Sequence, residues 1–345
     1  MELNSLSGND KVKFPSRLVG LDIARGLASL SIVLWHWQHF FFIRDGLPVG
    51  FQISDQPLYN ILRPFYDAGS IAVSFFFTLS GFVFFWLYWK DISSGSYSIK
   101  RFCVNRIARL YPLHILTLFL VLVLQVFYRW KNGGWFVYQC NDLYHFLLQL
   151  FFGSHWGLER GYSFNAPVWS VSVEIGLYFI FFSICCLRVA GWKSVLLMVI
   201  FLIWLQRLGL SAGGWLGPLE AFLIGGLTYF ALSFYYSHKL RSVALDAVVV
   251  VSAVVVWISM GGSQVFADIA LNKFRIYSRF IFPLTVAALV LVDSYDLVGL
   301  RKFQWIGNIT YSSYLIHFPL QLIFASIVIY FGGDASVFYS AWVLL

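Results

Sequence analysis

One feature constrains this chain above all others. Runs of about twenty mostly apolar residues, the length a helix needs to cross a bilayer, recur near 21–43, 68–89, 111–128, 169–187, 194–208, 219–236, 243–260, 278–293 and 305–331, and a further run begins near 337. Lipid offers backbone amides no water to bond, so such segments satisfy their polar groups internally as helices. They predict an all-α, polytopic transmembrane bundle of about ten helices, the last one truncated. Composition agrees: 59% of residues are hydrophobic and 12% charged, against about a quarter charged in soluble domains. The 36 Phe, 19 Tyr and 14 Trp suit lipid-facing surfaces and interfacial belts; no nucleic acid is needed to explain them.

The net charge of +8 has the same origin. With the N-terminus in the cytoplasm, the inner segments collect Lys11, Lys13 and Arg17, then Lys90 and the stretch from Lys100 to Arg109. Arg188, Lys193, Lys239, Arg241, Arg301 and Lys302 continue the pattern. This is the positive-inside bias, and it fixes orientation without a polyanionic ligand. Residues 1–17 read as a cytoplasmic tail and 18–345 as a single membrane domain. Cys103, Cys140, Cys185 and Cys186 show no paired spacing, so neither a disulfide framework nor a metal site is expected.

Two stretches are ambiguous. Residues 142–168 hold an apolar run too short to span, followed by a polar, Gly-rich piece, and predict an interfacial or re-entrant segment. SIKRFCVNRIARLYP reads as an amphipathic helix on the inner surface, with Pro112 placed where a new helix could start.

Ionisable groups inside spans cost about 2.5–3.5 kcal/mol each at the helix centre, so each demands a partner, water or a function. Arg25 and His36 lie eleven residues apart, about three turns, which puts them on one helix face with roughly 16 Å of rise between them. Ser29 shares the stripe and Asp22 lies one turn before Arg25. Ser170, Glu174 and Tyr178 form a second stripe at four-residue spacing. Thr310, Ser313, Tyr314, His317 and Gln321 form a third, beside Pro319. Arg101, Arg106 and Arg109 form a basic run at the inner face, suited to phosphate groups and equally to anionic lipid. Each has a bland reading too: an interfacial anchor, a salt bridge between spans, or a histidine bonded to a carbonyl.

Taken in order, these segments resemble acyltransferase family 3, membrane O-acyltransferases that modify bacterial surface polysaccharides and related glycans. LDIARGLASLSIVLWH is similar to the family's first-helix pattern, an Arg or Lys followed after ten residues by His, here Arg25 and His36. GSIAVSFFFTLSGFVF resembles its FF-x-LSGF signature through Ser80, Gly81 and Phe82. VNRIARLYP, through Arg106, Arg109 and Pro112, resembles its basic element. WSVSVEIGLYF, through Trp169, Ser170, Glu174 and Tyr178, and IGNITYSSYLIHFP, through Gly307, Asn308, Tyr314, His317 and Pro319, complete the series. The chain departs from the pattern at Ile23, Asn105 and Leu113-His114, positions that bear on the shape of the donor site.

The resemblance implies an O-acetyltransferase of the bacterial inner membrane, carrying an acyl group from cytoplasmic acetyl-CoA to a hydroxyl of an external carbohydrate. His36 is the expected general base or acyl carrier, with Glu174 as the carboxylate that orients it and Arg25 as a third catalytic group. Arg25, Arg101, Arg106 and Arg109 are expected on the donor's phosphates. Ser80, Ser170, Tyr178, Tyr314 and His317 are expected along the substrate passage. No metal is implied. The competing reading is a glycan or lipid transporter using the same polar residues as a pathway; a non-catalytic receptor has no evident need for Arg25 and His36 on one face.

Overall fold

The computed structural model describes residues 14–15, 18–210, 214–238, 240–262, 274–295 and 302–344. Most of the expected cytoplasmic tail, and with it Lys11, Lys13 and Arg17, lies outside the described residues, as do Lys239 and Arg301. Among those described there is no strand, and the principal helices are α1 (Val19–Trp35), α2 (Tyr59–Ala68), α3 (Ala72–Ser93), α4 (Ile99–Asn132), α5 (Leu143–Leu150), α6 (Trp169–Cys186), α7 (Trp192–Arg207), α8 (Leu216–Ser237), α9 (Val243–Gly262), α10 (Phe282–Asp293) and α11 (Thr310–Tyr330). Seven helical segments are long and apolar enough to cross a membrane, and Val243–Ser259 is a shorter apolar helix. The chain is an all-α polytopic membrane protein.

Two expectations change. The amphipathic stretch before Pro112 and the span after it are one helix, α4, of 34 residues with Pro112 inside it. At 1.5 Å per residue that is about 51 Å, longer than the roughly 30 Å hydrocarbon core, so the basic first turns and the apolar remainder both belong to α4. Ser98 begins it by accepting the Arg101 N–H at 3.3 Å. Residues 142–168, read as too short to span, hold the eight-residue α5, turns and a 3-10 turn, Ala166–Val168. The run near 337 forms a 3-10 turn, Ala335–Tyr339, and a four-residue helix, Ala341–Leu344.

The chain divides into two compact units. The first comprises Met1–Ala28, Ser74–Ser94 and Ile184–Ile309. Its α3 and α8 touch backbone to backbone, because a Cβ built on Gly81 would lie 1.8 Å from the Phe222 carbonyl oxygen and one on Gly225 1.9 Å from that of Thr78. Small residues permit such approach where lipid supplies no hydrophobic drive between helices. The Asp293 carboxylate, at the end of α10, accepts the Gly20 N–H at 2.8 Å and caps the start of α1. Buried Glu220 binds Arg279 at 2.5 Å, and Arg279 sits on a π-helical turn, Tyr277–Ile281.

The second unit comprises Ser29–Val73, Gly95–Ser183 and Thr310–Leu345. Its core gathers Phe40, Phe41, Leu118, Val121, Phe136, Phe164, Phe318 and Leu322, all buried. Tyr311 of α11 donates to the Leu110 carbonyl of α4 at 2.5 Å. Gln125 grips both sides of Phe136, its amide donating to the carbonyl and accepting the N–H, each at 3.0 Å. That clamp fixes the loop that carries Tyr138.

Candidate active site

The second unit collects three imidazoles. α1 gives way at Trp35 to a 3-10 turn, His36–Phe41, and in a 3-10 turn side chains three apart eclipse. His36 and His39 therefore share a face, their ring centroids 4.6 Å apart. His317, from α11, lies 4.8 Å from His36 at an interplanar angle of 33°. The three residues are 7%, 2% and 4% exposed in the order His36, His39, His317, so hydrogen bonds rather than solvent fix their tautomers.

Each tautomer follows from its partners. His36 Nδ1 lies 2.9 Å from the Ile32 carbonyl oxygen, which only accepts, so Nδ1 carries the proton and Nε2 presents its lone pair. His317 repeats this, with Nδ1 2.6 Å from the Tyr314 carbonyl oxygen. The Gln321 amide donates to the carbonyl of His36 itself at 2.9 Å, which turns its oxygen toward His39 Nδ1 at 3.1 Å. His39 Nδ1 therefore donates and its Nε2 accepts from the Tyr138 hydroxyl at 3.0 Å. Burial pushes the Tyr138 phenol far above its ordinary value, so the hydroxyl keeps the proton it donates. The chain Tyr138 to His39 to Gln321 to the His36 backbone is closed and directional.

Among the buried acceptors of this unit that have no donor are His317 Nε2 and Asn165 Oδ1. Leaving such a group unmade costs about 1–3 kcal/mol, and each calls for an explanation. Both hang from adjacent carbonyls of one turn of α11. Pro319 has no N–H for the Leu315 carbonyl four residues back, and the Asn165 amide fills that place at 3.0 Å. His317 holds the carbonyl of Tyr314.

A second polar cluster lies in the same unit. The Tyr314 hydroxyl bonds to Ser170 at 2.6 Å and donates to the Pro167 carbonyl. Glu174 accepts from Tyr178 at 2.5 Å, the pairing their spacing predicts. The Arg106 guanidinium lies 5.8 Å over the Tyr178 ring, and Arg109 acts electrostatically on Tyr178 and Tyr311. Arg101 lies 5.1 Å over Tyr97 and, like Arg109, is exposed.

The structure thus brings His36 and His317 together, and Ser170 with Tyr314. It also places Arg106 beside Tyr178 and Glu174. It differs from expectation on the Nδ1 partner of His36, which is the Ile32 carbonyl and not Glu174: a carbonyl four residues back is within reach without any distant segment. Arg25 and Ser80 belong to the first unit, where Arg25 pairs with Asp22 at 3.2 Å. Sequence reasoning passed over His39, Tyr138 and Asn165. His39 was visible as HWQH once the 3-10 geometry was known; Tyr138 and Asn165 sit in loops without periodicity. No group of three His, Cys, Asp or Glu residues is arranged to hold a metal among the described residues.

Comparison with known proteins agrees with this picture. The chain is 32% identical over 178 residues to acyltransferase MdmB of Streptomyces mycarofaciens, covering 48% of this chain and 40% of that protein. It is 36% identical over 107 residues to protein 2 in the picA locus of Rhizobium radiobacter, covering 31% of this chain and 45% of that protein. The matches thus span less than half the length of either relative. No solved structure matches. The family profile described as an acyltransferase domain matches residues 18–345, nearly the whole chain including both polar clusters, and the chain belongs to acyltransferase family 3.

Proposed function

We propose that the chain is a membrane O-acyltransferase that moves an acyl group, acetyl in the simplest case, from acyl-CoA to a hydroxyl of an exported or cell-surface carbohydrate at a bacterial inner membrane. The observation that carries this reading is His36: its Nδ1 is committed to the Ile32 carbonyl, four residues back, and its Nε2 lone pair is left for chemistry. Acyl transfer needs such a nitrogen, either as base or as transient acyl carrier.

The arginines assigned to the donor's phosphates are Arg101, Arg106 and Arg109, whose planar forks suit phosphate oxygens. Arg25, in α1, is the basic member of the first-helix motif. Glu174 acts through Tyr178, holding its hydroxyl, and not on His36 directly. Tyr178, Ser170 and Tyr314 line the passage in this reading, with Ser80 assigned to it from its motif. A carbohydrate acceptor is favoured by His317 Nε2 and Asn165 Oδ1, two of the buried acceptors without a donor, because a polyhydroxyl ligand brings the donors they lack.

The test uses the full chain in lipid vesicles with acyl-CoA labelled in the acyl group, and mass spectrometry of the glycans of the producing cells to identify the acceptor. Label on carbohydrate supports the reading; glycan movement without label transfer replaces it with transport. Arg109→Ala should weaken acyl-CoA use while acceptor affinity stays unchanged, and competition by free coenzyme A that is the same in the variant would remove Arg109 from the donor site.

A further inference from the structure

Of the three clustered imidazoles, His39 has both nitrogens occupied, by Gln321 and Tyr138. Among the described residues His36 and His317 each use only Nδ1, His36 on the Ile32 carbonyl in the last turn of α1 and His317 on the Tyr314 carbonyl of its own helix. The chain therefore holds two rings with a vacant Nε2, 4.8 Å apart between centroids, where one-step base catalysis requires a single ring. The vacancy on His317 is the more telling, since that nitrogen is fully enclosed and without a donor. An enclosed lone pair of this kind fits a group whose partner arrives with the substrate: the acceptor's own O–H.

We propose that the two rings divide the reaction, His36 carrying the acyl group and His317 taking the proton of the acceptor hydroxyl. The inference rests on the acyltransferase reading above and adds a second catalytic residue to it. In the first step His36 Nε2 attacks the thioester carbonyl, a C–N bond forms and the C–S bond breaks. The coenzyme leaves as thiolate with the bonding pair, and His36 becomes an N-acylimidazolium. In the second step the acceptor oxygen attacks the same carbonyl carbon while its proton passes to His317 Nε2. The C–N bond breaks, and its electron pair restores neutral His36. His317 then releases its proton, which balances the thiolate formed earlier, so the sum is acyl-CoA plus alcohol giving ester plus free thiol. Gln321 and His39 are positioning residues here, holding the turn that bears His36.

The experiment follows label on protein and on acceptor separately, in vesicles containing the full chain, labelled acyl-CoA and an acceptor glycan. His317→Asn keeps a side-chain amide able to bond the Tyr314 carbonyl but has no counterpart of Nε2. It should release coenzyme A in a single burst, accumulate hydroxylamine-labile label on the chain and slow transfer to acceptor by about 10²–10⁴-fold, the usual worth of a positioned base. His317→Ala should behave alike, and added imidazole should restore its transfer, which a purely structural histidine would not allow. His36→Ala should take up no label. Transfer by His317→Asn within a few-fold of the natural chain overturns the proposal, and so does loss of transfer with no trapped label and no rescue by imidazole. Both leave the acyltransferase reading standing, provided the natural chain still labels the acceptor; if it labels none, that reading fails first.

Discussion

Replacing Gln321 with leucine probes the link between the buried polar chain and the reacting ring. The amide makes two hydrogen bonds, to the His36 carbonyl at 2.9 Å and to His39 Nδ1 at 3.1 Å. Leucine matches its bulk and makes neither. Two buried groups are then orphaned at about 1–3 kcal/mol each, so Gln321→Leu should cost roughly 2–6 kcal/mol of stability in all. Part of that strain is relieved by letting the 3-10 turn shift, which moves the His36 ring. A displacement near 1 Å can cost about 10²-fold in rate, and each 1.4 kcal/mol misapplied costs about tenfold. The expected outcome is a fall in kcat of about 10–100-fold with KM for acyl-CoA changed less than about threefold, since the arginines proposed for the donor's phosphates on α4, Arg101, Arg106 and Arg109, make no contact with Gln321 among the described hydrogen bonds. The assay is acyl transfer in vesicles, paired with thermal unfolding in detergent. An unfolding midpoint well below that of the natural chain together with unaltered kcat would refute the argument, because it would show that the amide supports the fold without holding the ring.

Two further outcomes are expected. Gly81→Ala places a Cβ 1.8 Å from the Phe222 carbonyl oxygen, a clash with backbone that only separation of α3 from α8 relieves; overpacking of this kind costs about 1–3 kcal/mol or more, and an unfolding midpoint equal to that of the natural chain would contradict the close crossing. In the loop before α6, burial holds the His155 imidazole below its ordinary value against the opposing pull of Glu159. The unfolded chain therefore binds that proton first, and stability falls as pH drops below about 6.5. Hydrogen exchange of residues 153–165 should quicken across that range, and His155→Gln should flatten the response; an unchanged pH dependence in the variant would assign it elsewhere.

The fold was legible in the sequence because spans are long and strongly apolar, and such segments leave the backbone little choice. Boundaries were harder where charge and hydrophobicity met. Pro112 has the residue type of a helix start, yet α4 runs through it: the cost of an interior proline, about 3 kcal/mol, is spread over a helix of 34 residues. The polar stripes were legible to the extent that they are local: Glu174 with Tyr178 is one turn of one helix, and Ser170 lies on the same line. The contacts that define the site are not local. His39 depends on a change from α to 3-10 geometry at Trp35, which no spacing at 100° per residue reveals. Asn165 depends on Pro319 having left the Leu315 carbonyl without its N–H, a vacancy created far along the chain. Tyr138 depends on Gln125 folding a loop back onto Phe136. The partner of His36 Nδ1 is likewise no carboxylate but the Ile32 carbonyl, a backbone group that no side-chain pattern marks.

The most direct test measures acyl transfer by His36→Ala in vesicles, at a reconstituted amount and unfolding temperature matched to the natural chain. The account predicts that labelled acyl-CoA delivers no label to the carbohydrate and that free coenzyme A appears no faster than in vesicles lacking protein. Turnover within about tenfold of the natural chain would contradict it, since removal of a positioned base costs about 10²-fold or more.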